Sequence, residues 1–131
     1  MTRRPTPPEL YRKVTNAIEA LKAGRKGFGT MRHWPGDRED LGLNSTEKLW
    51  PLLLELLEEI KQLRPEKCYA GSRPPQRCYQ DEPAIKDEEL WPFAWDSSRF
   101  GKRMYLKFVL TKNRRDEWCY FHVDCHTDVT Q

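Results

Sequence analysis

The chain has no apolar run long enough to cross a bilayer, no Cys-x-x-Cys pair, no His-Glu-x-x-His and no phosphate-loop glycine pattern. The first absence excludes a spanning helix. The next two remove the usual zinc spacings, and the last removes the usual nucleotide cradle. No metal or other cofactor is therefore expected. There is no internal repeat, linker or low-complexity tract, so residues 1–131 read as one domain. Net charge is also scarce. The 23 Lys and Arg nearly balance 20 Asp and Glu, and the resulting +3 permits phosphate binding without demanding it. The opening Met1-Thr2-Arg3-Arg4-Pro5 lacks the apolar core of a signal peptide. The expected compartment is the cytoplasm, with Cys68, Cys78, Cys119 and Cys125 reduced.

What the chain does have is charge and aromatic surface. Charged residues make up 33% and aromatics 11%, the mark of a compact domain with a busy exterior. Residues 1–8 hold three prolines and read as a flexible arm. Leu10, Val14, Ile18 and Leu21 recur at helical spacing and predict a first helix over about Pro8–Ala23, stopped by Gly24. Residues 24–36 interleave bases, glycines and aromatics. That mixture suits single-stranded nucleic acid through Arg25, Lys26 and Arg32. It equally suits an irregular connector whose Phe28, Met31 and Trp34 plug the core. Asn44-Ser45-Thr46-Glu47 resembles a capping box and predicts a second helix to about Leu63, with Leu49, Leu52, Leu53, Leu56, Leu57, Ile60 and Leu63 as its core stripe. Pro51 either kinks that helix or marks its true start after a separate turn. Short strands are expected near Cys68–Ala70 and Arg77–Gln80. An edge strand is expected over Glu89–Trp95, because Pro92 cannot donate to a ladder.

Arg103–Cys125 predicts a hairpin. Met104, Leu106, Phe108 and Leu110 alternate with Tyr105, Lys107, Val109 and Thr111. The return run alternates Cys119, Phe121, Val123 and Cys125 with Trp118, Tyr120, His122 and Asp124. Placing both apolar sets on one face gathers Tyr105, Lys107, Tyr120, His122 and Asp124 on the other. The expected architecture is α+β: two N-terminal helices on one face of a small antiparallel sheet, the second face free for function.

That free face suits general acid–base chemistry on a phosphodiester. Metal-independent RNA cleavage needs a base for the 2′-hydroxyl, an acid for the leaving oxygen and a cation for the developing charge. His122 or His126 titrates near neutrality, Tyr105 gives or orients a proton, and Lys107 with Arg73 or Arg77 holds phosphate. From composition alone the plainer reading prevails: Tyr105 and Lys107 are an ordinary solvent face, His126 simply ends a strand, and Asp124 beside His122 is a surface pair worth little. A DNA-binding regulator finds no support, since no basic recognition helix is present.

Several segments, in order, resemble the motility quorum-sensing regulator toxins (MqsR), relatives of the RelE-like ribonuclease fold. Leu21-Lys22-Ala23-Gly24 with Thr30 and Arg32 is similar to the exit of the family's first helix. Asp40-Leu41-Gly42-Leu43-Asn44 resembles its Leu-Gly-Leu element. Leu90-Trp91 and Met104-Tyr105-Leu106-Lys107-Phe108 resemble its Ile-Trp and Val-Tyr-Leu-Lys-Ile segments. The resemblance implies the toxin of a type II toxin–antitoxin system: an endoribonuclease acting on mRNA, free or on the ribosome, and silenced by an antitoxin. Tyr105 matches the family's active-site tyrosine. Gln80 stands near its upstream lysine, Pro92 at its glutamine, and His122–His126 near its last lysine. These departures keep open a non-catalytic RNA- or protein-binding module on the same fold.

Overall fold

The computed structural model describes residues 5–78 and 83–127. Helix α1 spans Pro7–Lys22. Thr6 caps it, accepting the Glu9 amide at 3.3 Å, and its two prolines sit in the first turn, where no amide is needed. Leu10, Val14, Ala17, Ile18 and Leu21 are buried along one stripe.

Residues 24–36 are not merely a connector. They hold strand β1 (Lys26–Phe28) and the first turn of helix α2 (Trp34–Leu41). Pro35 starts that helix rather than breaking it, because a first-turn proline loses no hydrogen bond. Gly42, at φ 70°, ends it in the left-handed conformation that glycine adopts without strain. Of the three aromatic and thioether plugs, Trp34 is buried and Phe28 packs against Trp34 and Trp50, but Met31 is exposed.

Asn44 caps nothing. A 3₁₀ turn at Thr46–Lys48 precedes helix α3 (Leu49–Leu63), which leaves Pro51 harmlessly in the first turn. Leu49, Leu52, Leu53, Leu56, Leu57 and Ile60 are buried as the stripe predicted. Each contributes roughly 2 kcal/mol of burial at most. The short helix α4 covers Pro65–Cys68.

Strands β2 (Trp91–Ser97), β3 (Lys102–Lys112) and β4 (Trp118–Thr127) complete a four-stranded sheet in the order β1-β4-β3-β2. The fold is α+β, with two corrections. The sheet is mixed, because β1 runs parallel to β4, and the described residues contain four α-helices, not two. Pro92 lies in an edge strand, as its chemistry requires.

A tether fixes the β2–β3 turn to α3. The Glu59 carboxylate accepts from Trp95 Nε1 at 2.9 Å, Ser97 Oγ at 2.7 Å, Ser98 Oγ at 2.7 Å and the Arg99 amide at 3.0 Å. Partial burial opposes its charge, but these four donors win and hold its pKa down at about 2.

The β3–β4 register contains the main departure from the alternation pattern. Lys107 pairs with Asp124, but Phe108 pairs with His122, so Val123 is an extra residue in a bulge. Tyr120 and His122 therefore face the helices, and both are fully buried. Phe121 and Val123 face outward, where Cys78, Ile85, Leu90 and Val109 form a second small core with them. The outer face is thus half covered by Cys78, Ile85 and Leu90. Alternation could not show which apolar set points inward, because both sides of this part of the sheet are dry.

Candidate active site on the outer sheet face

The uncovered half of the outer face brings together Tyr105, Lys107, Asp124 and His126. Tyr105 and His126 are cross-strand partners, and their rings stack with centroids 5.2 Å apart and planes at 26°. The Lys107 ammonium lies 5.8 Å from the Tyr105 ring centre. The His126 side chain is about one-third exposed, and its Nε2 sits 3.4 Å from Asp124 Oδ2. Its Nδ1 is 2.7 Å from the Thr127 carbonyl oxygen. A carbonyl only accepts, so Nδ1 carries a proton and Nε2 is the nitrogen left for proton transfer.

Electrostatics favour the imidazolium. Burial opposes the charge on His126, but the Thr127 carbonyl and the carboxylates of Asp124, Asp37 and Asp40 outweigh it, and its pKa is raised above 6.5. Asp124 is pushed up as well, by burial first and then by the charge and hydrogen bond of Asp37, against the pull of His126 and His33.

Two depressions flank Lys107. One is a polar groove of about 250 Å³ lined by Gly71, Ser72, Gln76, Pro92, Tyr105 and Lys107. The other is an apolar pit of about 50 Å³ formed by Cys78, Ile85, Leu90 and Val123, with Thr30, Arg32, His33 and Lys107 also lining it. The groove wall at residues 70–76 is stiffened locally. The Tyr69 hydroxyl donates to the Ser72 carbonyl at 2.6 Å, and Gly71 passes so close that a Cβ there would lie 2.5 Å from that hydroxyl oxygen.

Three of the four expected catalytic residues, Tyr105, Lys107 and His126, therefore converge. His122 does not. It is fully buried on the helix side, edge-on to Phe28 and Trp34, with Nε2 3.6 Å from Asp37 Oδ2. The bulge at Val123 is the cause. Arg32 is exposed at the pit, after a turn in which its amide donates to Thr30 Oγ1 at 3.1 Å. Arg73 donates to the Pro5 carbonyl at 3.3 Å and lies over Tyr69, and Arg77 donates to the Asp87 carbonyl at 2.6 Å. Both arginines thus bond to backbone, Arg73 to the chain before α1 and Arg77 to the turn at Asp87. Gln80 lies outside the described residues.

The sequence reading missed Asp37, Asp40, Ser72 and Gln76. The Asp37-x-x-Asp40 spacing was legible as one helical face, but only once Pro35-Gly36 is read as a helix start.

Comparison with protein families, with curated proteins and with solved structures finds no match to this chain. Among the described residues, no helix is long and apolar enough to cross a membrane, and the four cysteines are free thiols.

Proposed function

We propose that this chain is a metal-independent endoribonuclease of the RelE/MqsR-like toxin class, acting on mRNA in the cytoplasm and held silent by an antitoxin. The observation that carries the reading is the stacked Tyr105–His126 pair beside Lys107, at the mouth of a polar groove. The resemblance of the Tyr105 segment to that family's active-site strand adds weight.

In this mechanism Lys107 binds the scissile phosphate and offsets the charge that builds on it. Tyr105, with Lys107 beside its ring, takes the proton of the 2′-hydroxyl on its phenol oxygen as its own phenol proton passes to water. The O2′–P bond forms as the P–O5′ bond breaks, and His126 Nε2 gives its proton to the leaving oxygen. The products are a 2′,3′-cyclic phosphate and a 5′-hydroxyl. Proton exchange with water then restores both side chains. The test is induced expression followed by mapping of RNA ends. Growth arrest with new 5′-hydroxyl ends is the expected result, and unimpaired growth with intact RNA would remove the nuclease assignment.

One observation favours the second reading, a non-catalytic RNA- or protein-binding module. Arg73 and Arg77 donate to backbone carbonyls, and neither lines the depressions beside Lys107. A binder on this face would retain RNA on a filter without producing new ends.

A further inference from the structure

Strand β4 has ten residues, yet β1 pairs with only Tyr120, Phe121 and His122. Beyond His122 the edge of β4 is covered by helix α2, not by a strand. Asp37 Oδ2 accepts the Cys125 amide at 2.9 Å, and Asp40 Oδ2 accepts the Thr127 amide. Carboxylates three apart on a helix lie about 5–6 Å from each other. Alternate amides of a strand lie roughly 6.6–6.8 Å apart. The two spacings are close enough for one helical face to replace a missing strand. The amides so held are those on either side of His126.

We propose that α2 is a carboxylate clamp on the site: Asp37 and Asp40 fix the amides flanking His126 and, with Asp124, surround its imidazole with negative charge, making it the site's proton donor. The clamp rests on the two amide bonds and on the carboxylates around His126; the donor role rests on the function proposed above. Asp37 is 4% exposed, on the helix whose Trp34 ring packs with Phe28 and His122. An acceptor buried this deeply has lost its water, so its bond to Cys125 is hard to replace.

The groups facing His126 come from three elements. Asp124 is its neighbour on β4. Tyr105 stacks on it from β3, with Lys107 over that phenol. Asp37 and Asp40 act from α2, and His33, next to the first residue of α2, acts on Asp124. Carboxylates dominate this set. The raised pKa of His126 follows, and so does the sign of its linkage. The stability it contributes is full below the unfolded pKa near 6.5 and is lost as pH rises through the folded value.

The experiment follows the His126 imidazole by NMR across a pH titration of the full chain, in wild type, Asp37→Asn, Asp40→Asn and Asp40→Ala. Asparagine keeps an acceptor for the amide and removes the charge. The wild-type midpoint should lie above 6.5. Asp40→Asn should lower it by about 0.5 pH unit, in line with a partly exposed charge, while the Tyr105–His126 ring contacts persist. Asp40→Ala should lower it similarly and weaken those contacts. A wild-type midpoint below 6.5 would overturn the clamp without reference to any variant, and so would a midpoint that neither asparagine variant moves. RNA cleavage measured in parallel separates the two claims. If cleavage occurs, its alkaline limb should follow the NMR midpoint in each variant. A shifted midpoint with no cleavage at any pH supports the clamp and refutes the donor role.

Discussion

Glu59→Gln tests how the strand carrying Tyr105 and Lys107 is held. The native carboxylate takes four donors. A glutamine oxygen serves two of them, and its NH₂ faces the other two with nothing to offer. The folded pKa of about 2 lies well below the 4.5 of an unperturbed glutamate. The shift of about 2.5 units corresponds to about 3.4 kcal/mol at 1.36 kcal/mol per unit. Glu59 keeps part of its surface in water, so screening reduces this to about 2 kcal/mol. The sign is that of a depressed carboxyl: the contribution is full above pH 4.5 and is lost as pH falls toward 2. Urea unfolding at pH 7 should therefore show the variant about 2 kcal/mol less stable, a Tm loss of roughly 6 °C for a chain of this size. Near pH 2 the two proteins should converge, because the wild type is then protonated. Equal stability at pH 7 would refute the tether, and so would a difference that persists undiminished in acid.

Three other outcomes follow from the same coordinates. His126→Ala should lower RNA cleavage by about 10²-fold or more, whereas His122→Leu, which removes two buried ring nitrogens that lack hydrogen-bond partners among the described residues, should leave cleavage within a few-fold; initial rates on one RNA decide between them. Gly71→Ala places a methyl against the Tyr69 hydroxyl and Pro92, and should cost about 1–3 kcal/mol while raising KM more than it lowers kcat; thermal melts and steady-state kinetics check both. Leu53→Ala, at a fully buried position of α3, should cost about 2–5 kcal/mol by denaturant unfolding.

Local chemistry made much of the architecture legible. The apolar stripe of α3 is buried from Leu49 to Ile60 because a 15-residue helix has room for a clear period, and only Leu63, in its last turn, is exposed. Pro92 marked an edge strand because its missing amide admits few other places. The failures came where local pattern carries little information. Strand β1 has three residues, and its parallel pairing with β4 is a long-range choice that no periodicity encodes. Helix α2 hid behind Pro35-Gly36, a pair that reads as a break until one sees it at a first turn. His122 went to the wrong face because a single bulge residue reverses alternation, and because apolar partners waited on both sides. Tyr105 and Lys107 share the face that the β3 alternation gives them, and His126 joins it beyond the bulge. Asp37 and Asp40 were missed because carboxylates that replace a strand leave no signature apart from the fold itself.

The most direct measurement is incubation of purified protein with mixed-sequence RNA in EDTA, with and without ribosomes, beside Tyr105→Phe. The account predicts cleavage that survives chelation, leaves 5′-hydroxyl ends and falls by about 10²-fold or more in the variant. Cleavage abolished by EDTA, or undiminished in a folded Tyr105→Phe protein, would contradict it.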